Sequence, residues 1–128
     1  MVTGSHFILY VRDQIASRDF YARVLDRGPA LDVPGMTEFQ LTPGVVLGIM
    51  PESAIARLLG PPVDPTKLCG AGRAELYLVV DDPAAYHARA LAAGGQELSP
   101  LLSRDWGHRA AYSLDRDGHV VAFADLLA

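Results

Sequence analysis

The chain is written twice, and that repeat constrains its fold more than any other feature. The stretch "HFILYVRD" (His6 to Asp13) lies on "ELYLVVDD" (Glu75 to Asp82) without a gap. Each alternates apolar residues before ending in charge, the period-two pattern of a strand with one buried face. A helical stretch follows each, "IASRDFYARVLDRG" from Ile15 and "PAAYHARALAAGG" from Pro83. In the first, Ile15, Phe20, Tyr21 and Val24 supply an apolar stripe. In the second, Asp82 is placed to cap, and Pro83 suits the first helical position, where no N–H is needed. Gly28 and Gly94 are the expected C-terminal stops.

The second halves repeat as well. "EFQLTPGVVLGIM" (Glu38 to Met50) reads strand, Pro-Gly turn, strand, and "AYSLDRDGHVVAFA" (Ala111 to Ala124) reads strand, Asp-Gly turn, strand. Anchoring on the glycines pairs Gly44 with Gly118, Val46 with Val120, and Gly48 with Ala122. A short strand fits before each hairpin, near Ala30 to Val33 and Gln96 to Ser99. The prediction is an α+β fold of two tandem βαβββ modules, about 5–50 and 74–128. A crossover at about 51–73 joins them, with one short helix near Glu52 to Leu59. Neither half can bury its sheet alone, so residues 1–128 are expected to form a single domain. The element order fits two sheets facing each other, or one long, curved, mostly antiparallel sheet with helices outside.

Several function classes are excluded at this level. Eleven basic residues are scattered among fifteen acidic ones, for a net charge of -4. That offers phosphate backbones no basic face, so no nucleic-acid partner is expected. No apolar run approaches the roughly 20 residues of a membrane span, and no signal-peptide core follows the N-terminus. A cytoplasmic protein without a membrane partner is expected. The single cysteine, Cys69, precludes an internal disulfide and any multi-cysteine metal site. There is no nucleophile motif, and "GAG" at 70–72 lacks the following helix that a phosphate loop needs.

The order of elements resembles the vicinal oxygen chelate superfamily, which contains glyoxalase I, bleomycin-resistance proteins and extradiol dioxygenases. The resemblance rests on His6 at the head of the first strand, "RDFYARVLDRG", "YLVVDDPAAYHARALAAGG" and "DWGHRAAYSLDRDGHVVAFAD". It covers nearly the whole chain. It implies paired βαβββ modules that form a cleft, commonly completed by homodimerisation. In the family's metal enzymes one ligand starts each module's first strand and one lies in each module's last strand. Those positions here are His6, Gly48, Glu75 and Ala122. Glycine and alanine have no donor side chain, whereas a stable divalent site usually has three or more protein ligands. No cofactor is therefore expected, the alternative being a divalent metal such as Zn, Ni or Mn.

Strand periodicity puts His6 and Tyr10 on one face and, in the repeat, Glu75 and Tyr77 on the corresponding one. If the resemblance holds, these faces line the cleft together with Met50, and the small Gly48 and Ala122 widen it. Trp106 lies in the loop before the last hairpin, where it can stack on a planar ligand, with Tyr112 beyond it. Arg104 or Arg109 is available for an anionic group, unless Arg109 pairs with Asp105. His119 is expected to hydrogen-bond the final turn, and His87 and His108 to be structural or solvated. The residues support a metal-independent small-molecule-binding protein, of the drug-sequestering kind, taking an aromatic ligand. If that ligand is cationic, Glu75 compensates its charge. The alternative is an enzyme in which His6 and Glu75 are the catalytic residues. They would act as metal ligands for a lyase, isomerase or dioxygenase, or as a metal-free acid-base pair.

Overall fold

A computed structural model describes residues 1–61, 64–67 and 74–127. Cys69 and the "GAG" at 70–72 lie outside the described residues, as do parts of the expected crossover. The chain folds as two compact units, Met1–Ala22 with Arg27–Cys69, and Arg23–Asp26 with Gly70–Ala128.

The first half of the chain runs β1 (Ser5–Val11), α1 (Gln14–Leu25, its end at Arg23–Leu25 falling in the second unit), β2 (Leu31–Val33), β3 (Met36–Thr42) and β4 (Val45–Pro51). α2 (Glu52–Leu59) follows, and a single 3-10 turn covers Pro65–Lys67. The sheet order is β1-β4-β3-β2, parallel between β1 and β4 and antiparallel elsewhere. Alternation sorts its side chains as the sequence implies. Val11, Thr37, Phe39, Leu47 and Ile49 are fully buried on one face. Gln14, at the start of α1, reaches the Thr37 hydroxyl on that face and the Val33 carbonyl at its edge. Phe20 and Tyr21 are buried with their rings edge to face, centroids 5.0 Å apart. Each such ring contributes roughly 1.5–3 kcal/mol by leaving water.

The helix phase differs from the expected stripe. Ile15 is exposed and Ser17 is buried in its place, because one turn back from Phe20 and Tyr21 lies position 17. Gly28 is not the stop either. The helix ends at Leu25, and Asp26 itself takes the left-handed conformation at φ 54°. Asp is among the few residues with a side chain short enough to tolerate that region.

The second unit repeats the plan with β5 (Glu75–Val79), α3 (Pro83–Ala92), β6 (Gln96–Ser103), β7 (His108–Leu114) and β8 (Val120–Leu126). Its sheet order is β5-β8-β7-β6, again parallel only between the first and last strands. The fold is thus the α+β arrangement of two βαβββ modules. Asp82 caps α3 by accepting from the Ala85 N–H, and Pro83 stands at its start. Tyr86 of α3 packs on Phe123 of β8 at 5.7 Å, which marks the helix-covered face of this sheet. His87 is buried rather than solvated, and its Nε2 meets the Glu97 carboxylate at 2.8 Å. That bond ties α3 to β6. β6 runs to Ser103, longer than the expected Gln96–Ser99, with register irregularities around Ser99. Pro100 sits there because an edge strand tolerates a missing N–H.

Among the described residues no helix is long and apolar enough to cross a membrane.

Candidate functional site

Each sheet has a second face, opposite its buried one, and the candidate residues stand on these two open faces. In the first unit the register sets Ile8 beside Gly48 and Tyr10 beside Met50, with Glu38 across from Gly48 on β3. Since directly paired residues project to the same side, His6, Ile8, Tyr10, Glu38, Gly48 and Met50 share one face. His6 is exposed, and its Nδ1 lies 3.4 Å from the Glu38 carboxylate. Glu38 was absent from the sequence-based candidates, although the alternation of "EFQLT" was enough to put it on this face.

The space above Gly48 is not open. A Cβ there would collide with Ile8 Cδ1, and Met36 Sδ stands 3.4 Å from the same point. The expectation that Gly48 widens a cleft is therefore corrected. Its missing side chain is replaced by the end of Ile8, whose strand runs alongside in parallel.

The second unit shows the same relation with a larger residue. Tyr77 is the register partner of Ala122, just as Ile8 is of Gly48. β8 lies between β5 and β7, and Ala122 and Ala124, on the same face as Tyr77, are small and fully buried. That clearance lets the Tyr77 side chain reach across β8 toward β7. There its hydroxyl meets His108 Nδ1 at 2.6 Å, with the two rings stacked at 5.8 Å. Trp106 donates its indole N–H to the same hydroxyl at 3.0 Å while remaining more than half exposed. This bond ties the exposed indole to the Tyr77 hydroxyl. His108, expected to be structural or solvated, belongs to this group. The alternation His108, Ala110, Tyr112 along β7 was the signal for it.

Arg104 stands near this face but is engaged by its own chain. It donates to Ser99 Oγ at 2.6 Å, to the Pro100 carbonyl, and twice to the Ala110 carbonyl. Its guanidinium also lies over the Tyr112 ring at 5.1 Å. Its observed work is thus to hold β6 against β7. Burial, and then the negative charge of the exposed Glu75, push the Tyr112 phenol above its ordinary value and keep it a neutral donor. Arg109 pairs with Asp125 through two nitrogens, not with Asp105.

The positions of His6, Gly48, Glu75 and Ala122 can be tested for a metal by their chemistry. Each unit supplies one donor-bearing residue and one residue without a donor, and Ile8 covers the place where a side chain at 48 would project. That set does not fit a closed divalent site. A different cluster, Asp115, Asp117 and His119, brings ligand atoms within 4.8 Å of one another. Asp115 there accepts the N–H groups of Asp117 and His119 through one oxygen and His119 Nδ1 through the other. These bonds hold the β7–β8 turn, the part expected of His119.

Comparison with known proteins agrees with the topology. A glyoxalase-related enzyme from Fulvimarina pelagi matches with a TM-score of 0.77 at 24% identity, covering 94% of this chain and 86% of that one. A glyoxalase/bleomycin resistance protein/dioxygenase family enzyme from Burkholderia phytofirmans PsJN matches at 0.82 and 19%, covering 96% and 98%. TioX from Micromonospora sp. ML1 matches at 0.62 and 24%, covering 97% and 98%. At these identities the likeness is one of fold. No curated protein sequence matches the chain. The chain's own sequence matches the pattern of one superfamily over residues 4–123, nearly its full length. Repeat, register and sequence pattern therefore agree that this protein belongs to the Glyoxalase/Bleomycin resistance protein/Dioxygenase superfamily.

Proposed function

We propose that this protein is a metal-independent small-molecule-binding protein of the glyoxalase/bleomycin-resistance type, sequestering an aromatic ligand stoichiometrically. The carrying observation is the exposed indole of Trp106, fixed through its N–H to Tyr77. A planar ligand stacks on that face, and the exposed Glu75 compensates a positive charge on it. The donor-poor set His6, Gly48, Glu75 and Ala122 supports metal independence. The reading carries with it a cytoplasmic homodimer with no nucleic-acid or membrane partner.

The competing reading is a divalent-metal lyase, isomerase or dioxygenase using His6 and Glu75. One observation favours it, namely that Glu38 brings a carboxylate to His6. Gly48 and Ala122 still leave the other two expected positions without a donor.

Calorimetric titration with Zn²⁺, Ni²⁺ and Mn²⁺ should give no stoichiometric heat. A panel of aromatic antibiotics should include a compound that quenches Trp106 emission. Tight binding of one metal ion, abolished by His6→Ala, would transfer the protein to the enzyme reading. A panel that leaves the emission unchanged would remove the stacking platform.

A further inference from the structure

Trp106, Tyr77 and His108 form a hydrogen-bonded chain in which the direction of the last bond depends on where the His108 ring carries its proton. An indole N–H only donates, so the Tyr77 oxygen accepts from Trp106. One proton lies between that oxygen and His108 Nδ1. When Nδ1 is bare, Tyr77 donates to it, and the hydroxyl's single hydrogen is used. An incoming molecule then meets only a lone pair. When Nδ1 carries a proton, His108 donates instead, Tyr77 accepts twice, and its own hydrogen is freed toward the open face.

We infer that Tyr77 is the specificity-determining hydroxyl of this face, and that protonation of His108 turns it from an acceptor into a donor for a carbonyl or phenolate oxygen on an aromatic ligand. This rests on reading the face as an organic-ligand surface. Imidazole is the side chain suited to such a change near neutral pH. The other charged and titratable groups around the ring come from several elements. Asp125 of β8 is close enough for the His108 charge to favour its ionised form. Arg109, next in β7, is held by Asp125. Arg104, ahead of β7, is held by Ser99, Pro100 and Ala110. Asp105 beside it is exposed, and Glu75 and Tyr112 complete the face.

Trp106 is the only tryptophan, so intrinsic emission reads this chain. Between pH 5 and 8 the emission should change in one step. His108→Gln should abolish that step, and Tyr77→Phe should weaken it. Imidazole ¹⁵N shifts of the unmodified protein should show Nδ1 of His108 bare at pH 8 and protonated at pH 5.5. Acetophenone, a neutral aromatic ketone, should bind roughly two- to tenfold more tightly at pH 5.5, the worth of one hydrogen bond. Ethylbenzene, which lacks the carbonyl, should bind alike at both. An emission step that persists in His108→Gln, or acetophenone binding that is equal at the two pH values, overturns the inference. If acetophenone shifts no resonance at either pH while the His108 step remains, the organic-ligand reading fails and the proton response of the chain stands.

Discussion

The parallel pairs β1–β4 and β5–β8 share one register, yet their open faces are furnished differently. Ile8 lies against Gly48 in the first, Tyr77 against Ala122 in the second. Both small residues are accompanied by the neighbouring residue of the parallel strand. In the first unit that residue is aliphatic and merely fills space. In the second it is a phenol that crosses the sheet and organises Trp106 and His108. Repetition of strand pattern and turn thus reproduces a scaffold, while single side chains at equivalent positions decide which groups each copy brings together.

The comparison is sharpest where the two units should respond alike. Ile49 and Phe123 are equivalent in the repeat, and both are fully buried. Ile49→Ala and Phe123→Ala should each cost about 3–4 kcal/mol in urea unfolding, through lost burial and the cavity left behind. A cost below about 1 kcal/mol for either would mean that its unit does not rely on the same core layer.

The hairpins should then respond differently. The first turns through Pro43 and Gly44, with Gly44 at φ 78° and no acidic residue. The second is held by Asp115, which accepts two backbone N–H groups and His119. Asp115→Ala should cost about 2 kcal/mol by the same measurement, since it removes the acceptor of two backbone N–H groups and of the His119 ring. Leu41→Asp, at the matching position of the first hairpin, should bring no compensating gain. If it stabilises, the difference between the turns is not the one described.

The smallest effects concern acid. Asp32 is held below its ordinary value by the Thr37 hydroxyl first and by Arg18, and Asp125 by Arg109. A carboxyl depressed in the folded state contributes stability above its unfolded value near 4, and that contribution is lost as the pH falls through the lower folded value. Melting temperature should therefore decline below about pH 4. Asp32→Asn and Asp125→Asn should each flatten the decline slightly and to a similar degree. A steeper decline in either variant would reverse the assignment.

Much of this was legible in the chain. Alternation, Asp82–Pro83, Gly44 and Gly118 suffice to lay out the strands, the α3 start and both hairpins, because they act through local backbone geometry. The stripe on α1 was misread at Ile15 because Ser17, a polar residue, occupies the buried turn. Hydropathy alone cannot mark a position buried by neighbours distant in sequence. The candidate site was legible as to face but not as to contact. His6, Tyr10, Glu75 and Tyr77 were placed by period two, whereas Glu38 and His108 were passed over. The link between Tyr77 and His108 spans 31 residues and requires β8 to lie between β5 and β7.

By itself, the sequence determined the repeat and the α+β element order, since period and turn chemistry are local properties. Only the tertiary structure decided what stands against Gly48 and Ala122. Ile8 over Gly48, the alanines under Tyr77, and Arg104 spent on its own backbone all arise from strand order and register. Those contacts depend on which strands become neighbours, which no local stretch encodes.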